Sequence, residues 1–309
     1  MLEKSQLKGS VQLITTSIVC EETYGYIDHD RLFKELIKTF FQEFMEAFFP
    51  EEFACIDFSQ ISFLDKEVFT DIVRGEKREV DILVETKLKG EDTIIIVHIE
   101  PQSYFQHEFH ERMFIYNSRL YEHHRKPILP IAIFSYPDQR DVSTRFTISF
   151  PTMKIQEFQY LQLHLIKKNW RTFINSNNPA AAALLSKMGY TEEERILVKL
   201  EFLRMLSKME LNPAKMELLY GFFETYLRLN EKEEEQMREE ITKLPEHESN
   251  QILKLPNSYY EKGLVKGMEK GVEQIVLEMH KKGLPEKLIS EIANMDIAMV
   301  RKIKERLNG

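Results

Sequence analysis

The chain has 309 residues, with 42 Lys+Arg against 50 Asp+Glu and a formal net charge of -8, a balance that excludes a generally basic nucleic-acid coat protein. At 43% hydrophobic and 30% charged residues, the length suits one sizeable core plus a second module. Cys20 and Cys55 form neither a disulfide framework nor a Cys-x-x-Cys motif. No apolar run approaches the roughly 20 residues of a membrane span, and the N-terminal apolar stretch is interrupted by Thr15, Thr16 and Ser17, with no clean h-region and small-residue cleavage site of the kind a signal peptide is expected to show. The expected setting is cytoplasmic, with no membrane partner.

Taken in chain order, Leu32, Phe33, Leu36, Ile37, Phe40, Phe41, Phe44 and Phe48 recur at threes and fours. They predict one amphipathic helix over 31–49, capped by Asp28 or Asp30 and stopped by Pro50, its aromatics serving core packing rather than base stacking. Strands are predicted over 59–64, 79–87 and 93–100, the last two joined by a KGED turn containing Gly90. A helix over 104–124 leads to ILPIAIFSY, a buried strand between Pro127 and Pro137. The resulting order, helix, three strands, helix, strand, is an α/β core with a mixed sheet. Further strands are expected over 145–150 and 157–165.

From Trp170 onward the pattern is helical, with Pro179 and Pro213 at helix starts and Gly189 as a C-cap. Residues 231–250 hold eight acidic and three basic side chains, read as the solvated end of a helix leading to a linker closed by Pro245 and Pro256. The tail is mildly basic and carries its glycines and lysines, Gly263, Gly267 and Gly271 with Lys262, Lys266 and Lys270, at intervals of four. It ends in two short helices, with Pro285 in a first turn and Asp296 as an N-cap. They serve either DNA recognition, through Arg301, Lys302, Lys304 and Arg306, or docking. The expected modules are 1–165, an α/β domain; 166–250, a helical region; and 251–309, the repeat helix and helix pair.

Chemistry concentrates on two neighbouring strands. VDILVE sets Asp81, Leu83 and Glu85 on one face, and TIIIVHIEPQ sets His98, Glu100 and Gln102 on one face. Asp81 and Glu100 are placed to share a hard divalent cation, Mg²⁺ or Mn²⁺, with Gln102 reaching the same site to position a water. The same spacing also suits a bland arrangement, in which Asp81 caps a turn, Glu100 pairs with an arginine and Gln102 ends a strand. His107, His110 and Glu111 share a helix face but lack a second ligand cluster. His98 is either a hydrogen-bonded core histidine or a general base.

The segments DHDRLFKEL (28–36), VDILVE (80–85), IEPQS (99–103), the helix with Arg112 and Tyr116, and PILPIAIFSY (127–136) together resemble the recombination-promoting nuclease (Rpn) family, the YhgA-like transposases, over roughly residues 25–140. That resemblance implies the PD-(D/E)XK superfamily, with its restriction-endonuclease-like αβββαβ core, here followed by a helical region and a helical C-terminal tail. It implies a metal-dependent DNA endonuclease linked to recombination or transposition. Asp81 and Glu100 would be the Mg²⁺ or Mn²⁺ ligands, Gln102 would stand where many of the superfamily carry lysine, and Asp30 would be a supporting acid. A homodimer would supply the two sites that a double-strand break calls for. Gln102 brings no positive charge, so Lys87 or Arg112 would have to provide it. Pro101 also removes a backbone donor beside the site. Both departures favour the alternative, a catalytically inactive nuclease-fold module for DNA binding or protein interaction.

Overall fold

A computed structural model describes residues 29–65, 68–70, 77–79, 82–91, 93–138, 140–255, 271–293 and 295–305, without the side chains of 29, 30, 68–70, 77–79, 302, 304 and 305. Residues 28–255 belong to one compact unit and the described tail residues to a second. The first unit opens with helices α1 (His29–Thr39), α2 (Phe41–Phe48) and α3 (Pro50–Cys55), followed by strands β1 (Ile56–Phe63), β2 (Val68–Thr70), β3 (Lys77–Glu79), β4 (Ile82–Leu88) and β5 (Ile94–Gln102). Helix α4 (Phe109–His124) leads to β6 (Ile128–Phe134), then β7 (Arg145–Phe150), β8 (Met153–Gln159) and β9 (Leu161–His164).

Five strands form one mixed sheet in the order β1-β4-β5-β6-β9, antiparallel from β1 to β5 and parallel from β5 to β9. This is the expected αβββαβ core, with the short β2–β3 hairpin inserted after β1 and β9 added at the edge. Residues 95–100 of β5 are all buried, which explains the near-continuous apolar run: a central strand covered on both faces has no solvent side to mark by alternation. The turn between β4 and β5 uses Gly90 at φ +77°, a conformation costly for any side chain with a Cβ.

Helix α4 covers one face of the sheet. Its Tyr116 and Leu120 pack on Leu83 and Ile96, and its Phe109 and Met113 on Ala132, Phe134 and Tyr136. The β7–β8 hairpin lies over the same helix, with Phe146 stacked on Phe114 at 4.9 Å. Helix α1 approaches β5 and bonds the sheet to the helical region, where Phe33 meets Phe222 edge-on at 5.0 Å.

The helix expected over 31–49 is two. Phe40 leaves the helical backbone region at φ -126°, ψ 40°, and the bend lets Phe41, Phe44 and Met45 of α2 bury. Phe49 bends the chain again, so Pro50 starts α3 at its first turn, where its missing N–H costs nothing, rather than merely ending a helix.

The helical region holds α5 (Pro179–Leu184), α6 (Arg195–Ser207), α7 (Pro213–Tyr226), α8 (Glu231–Lys243) and α9 (Glu246–Leu253). Asn178 caps α5 by accepting from Ala181 N at 3.0 Å, and its amide donates to the carbonyl of Glu43 at 2.7 Å, joining the region to α2. Gly189 is no left-handed C-cap. Its backbone bridges Asn169, and a Cβ there would lie 2.4 Å from the carbonyl oxygen of Ile166, so the residue is a close-approach glycine. The acidic stretch is well-formed helix: Asn230 and Glu233 make a capping box for α8, and Pro245 caps α9, leaving no linker between them.

In the tail, residues 271–281 are helical and precede α10 (Glu286–Ala293) and α11 (Ile297–Glu305). Val276, Ile289, Val300 and Ile303 bury against one another, and Asp296 accepts from Ala298 N at 2.9 Å as the expected cap. Of the four-residue repeat, only Gly271 falls among the described residues.

Candidate active site

The alternation of β5 sets His98, Glu100 and Gln102 on the face that α4 covers, and all three are buried, at 0%, 4% and 4% exposure. Buried polar groups need partners, and here they are supplied from the helix. Nη2 of Arg112 donates to Oε1 of Glu100 at 3.0 Å and to Oε1 of Gln102 at 2.6 Å, while Nη1 donates to Oε1 of Gln106 at 2.6 Å. Nε2 of Gln102 donates to the carbonyl of Tyr104 at 3.0 Å, which leaves its side-chain oxygen facing the guanidinium. The other oxygen of Glu100 lies 3.3 Å from Nε2 of His98.

Arg112 is held from its own helix as well. Phe109 and Tyr116, three residues before and four after, flank the guanidinium at 4.8 Å and 5.8 Å, and the ring of Tyr116 also meets His98. Four polar side chains from one strand end, one loop and one helix thus meet at a single point.

This arrangement separates the two cations considered from the sequence. Lys87 pairs with Ile94 at the far end of the β4–β5 ladder, five residues from the Ile82–Ile99 rung and so roughly 17 Å away at about 3.4 Å per residue. Arg112 touches both Glu100 and Gln102. The pairing of Glu100 with an arginine is present, but Gln102 is a buried partner rather than a solvated strand end.

Asp81 lies outside the described residues, and so does the side chain of Asp30, which occupies the first turn of α1. The last described rung of the β4–β5 ladder, Ile82 with Ile99, is the one next in sequence to both Asp81 and Glu100. Among the described residues no group of three or more His, Cys, Asp or Glu side chains could hold a metal, His107, His110 and Glu111 included. The donor set around Arg112 nevertheless suits a hard cation, because a carboxylate oxygen and two amide oxygens converge on one positive charge. Gln106 was missed in the sequence, since its loop position carries no periodicity to mark it.

Beyond Gln102, the ends of the parallel strands hold a second polar group. Ser135 donates from N to the carbonyl of Gln102 at 3.0 Å, and the next residue, Tyr136, sits with its ring 5.3 Å from that of His164 at the end of β9. Burial, then the Asp138 carboxylate, raises the Tyr136 phenol above its ordinary range, and burial does the same to Tyr160. Burial and then Lys167 hold His164 below the usual imidazole value.

Residues 27–157 match the family model described as "Putative transposase, YhgA-like", a span that takes in β5, α4 and the loop between them, which carry the side chains around Arg112. A search of curated proteins and a search of solved structures each found no match. No helix among the described residues is long and apolar enough to cross a membrane.

Proposed function

Because residues 27–157 match the model of the YhgA-like putative transposases, we propose that this chain is a metal-dependent DNA endonuclease whose site is built on Glu100, Gln102 and Arg112. The observation that carries the reading is the convergence of these three side chains, buried at the end of a central strand, where a structural role alone would be served by apolar packing.

In this reading Asp81 joins Glu100 as ligand of Mg²⁺ or Mn²⁺, with Asp30 in support. Such a cation, when bound, polarises the phosphodiester and makes hydroxide available near neutral pH. Gln102 fixes a water through its amide, and Tyr104 holds that amide in orientation through its carbonyl. Arg112 supplies the positive charge that Gln102 lacks, with planar donors that match a phosphate. At -8 the chain has no bulk attraction for DNA, so affinity has to come from this local charge and the metal. A homodimer would let two sites act on opposite strands.

The test is plasmid cleavage. Purified protein nicks or linearises supercoiled DNA in Mg²⁺, and EDTA or Asp81→Ala abolishes it; cleavage that continues unchanged in Asp81→Ala defeats the assignment. A second reading, a catalytically silent DNA-binding or protein-interaction module, draws on one observation: both oxygens of Glu100 already have protein partners. Intact folding without Mn²⁺ binding would favour it.

A further inference from the structure

Arg112 stands at the position a cation would take. Oxygens of Glu100, Gln102 and Gln106 are directed at its guanidinium within 2.6 to 3.0 Å, and the helix side of the group is closed by Phe109 and Tyr116. The oxygen Oε1 of Glu100 is the one that Arg112 holds, while Oε2 faces His98. A divalent ion on that carboxylate would therefore draw on an oxygen already bonded to a positive charge, and the two cations would repel. With its side chain 12% exposed, the guanidinium has a way outward.

We propose that Arg112 is a built-in surrogate cation, which keeps Glu100 and Gln102 in place before metal arrives and gives up Glu100 when metal binds. The exchange frees a planar donor group beside the reaction centre, suited to the phosphate of the substrate. Arg112 is thus a positioning residue with two successive partners. This rests on the nuclease reading above, and it makes a prediction of opposite signs: loss of Arg112 strengthens metal binding while weakening cleavage. A residue that served only to hold α4 on β5 would weaken both.

The experiment is calorimetric titration of Mn²⁺ into the full chain, as wild type, Arg112→Met and Arg112→Lys, with thermal melting to verify folding and plasmid cleavage at saturating Mn²⁺ alongside. Arg112→Met is expected to bind Mn²⁺ about tenfold more tightly than wild type. It should cleave at least about a hundredfold more slowly. Arg112→Lys should fall between the two in both respects. Unchanged or weaker Mn²⁺ binding by folded Arg112→Met overturns the proposal. Should Arg112→Met not fold, Arg112→Lys decides on the same sign. Equal affinities in all three proteins with cleavage intact remove the role of Arg112 alone, whereas no Mn²⁺ binding and no cleavage in any of them removes the nuclease reading and this inference with it.

Discussion

Nη2 of Arg112 lies 2.6 Å from Oε1 of Gln102, a contact that ties helix α4 to the last residue of β5. A lysine at position 102 would push an ammonium against this guanidinium. Gln102→Lys is therefore expected to lower unfolding free energy by about 1–3 kcal/mol and to reduce cleavage rather than enhance it. Adding Arg112→Gln should recover most of the lost stability, because the like charges no longer meet. Urea unfolding of the two single variants and the double variant measures the coupling. Additive effects would mean that the two side chains do not interact in solution.

Two glycines in the helical region should respond in opposite directions to the same change. Gly189→Ala puts a Cβ 2.4 Å from the carbonyl oxygen of Ile166, a backbone atom that cannot yield cheaply, and should destabilise by about 2–4 kcal/mol. Gly221 lies within α7 with open space around the added atom, so Gly221→Ala should stabilise by about 0.5–1 kcal/mol. Thermal melting compares them directly; a stabilised Gly189→Ala would refute the close approach to Ile166.

Acid should weaken the fold through His164. Burial, then Lys167, holds its pKa below 6.5 in the folded chain, so between that depressed value and about 6.5 the unfolded chain binds more protons. Stability then rises with pH through this window and is lost as pH falls. The nearby carboxylates of Asp138 and Asp141 are held below their ordinary range by Arg140 and Lys167, which keeps their titration out of the window. Unfolding free energies of wild type and His164→Gln should converge toward acid and separate up to about pH 6.5. Parallel curves would remove His164 as the cause.

The core order was readable because strands and helices there obey their own periods: the β5 run, the Pro127–Pro137 segment and α4 with its inner residues at 109, 113, 116 and 120 all follow the sequence pattern. The faces of Glu100 and Gln102 were readable from strand alternation alone. What periodicity could not supply was the partner of each side chain. The sequence offers two cations, Lys87 and Arg112, and only the crossing of α4 over the end of β5 brings Arg112, and not Lys87, to Glu100. The break at Phe40 was hidden because the apolar spacing runs unbroken through it, the bend being set by how Phe41, Phe44 and Met45 pack. Gly189 looked like a cap because its role depends on Ile166, a residue distant in sequence.

Whether the Glu100 carboxylate is needed for phosphodiester cleavage is read from the nicking rate of supercoiled plasmid in Mg²⁺ by wild type and by Glu100→Gln. The substitution keeps the side-chain shape and an oxygen for Arg112 while removing the charge a metal requires. Wild type is expected to cleave, and Glu100→Gln, folded by thermal melting but less stable because the Arg112 charge loses its pair, to cleave at least about a hundredfold more slowly. Cleavage by Glu100→Gln at the wild-type rate would remove the carboxylate from the chemistry.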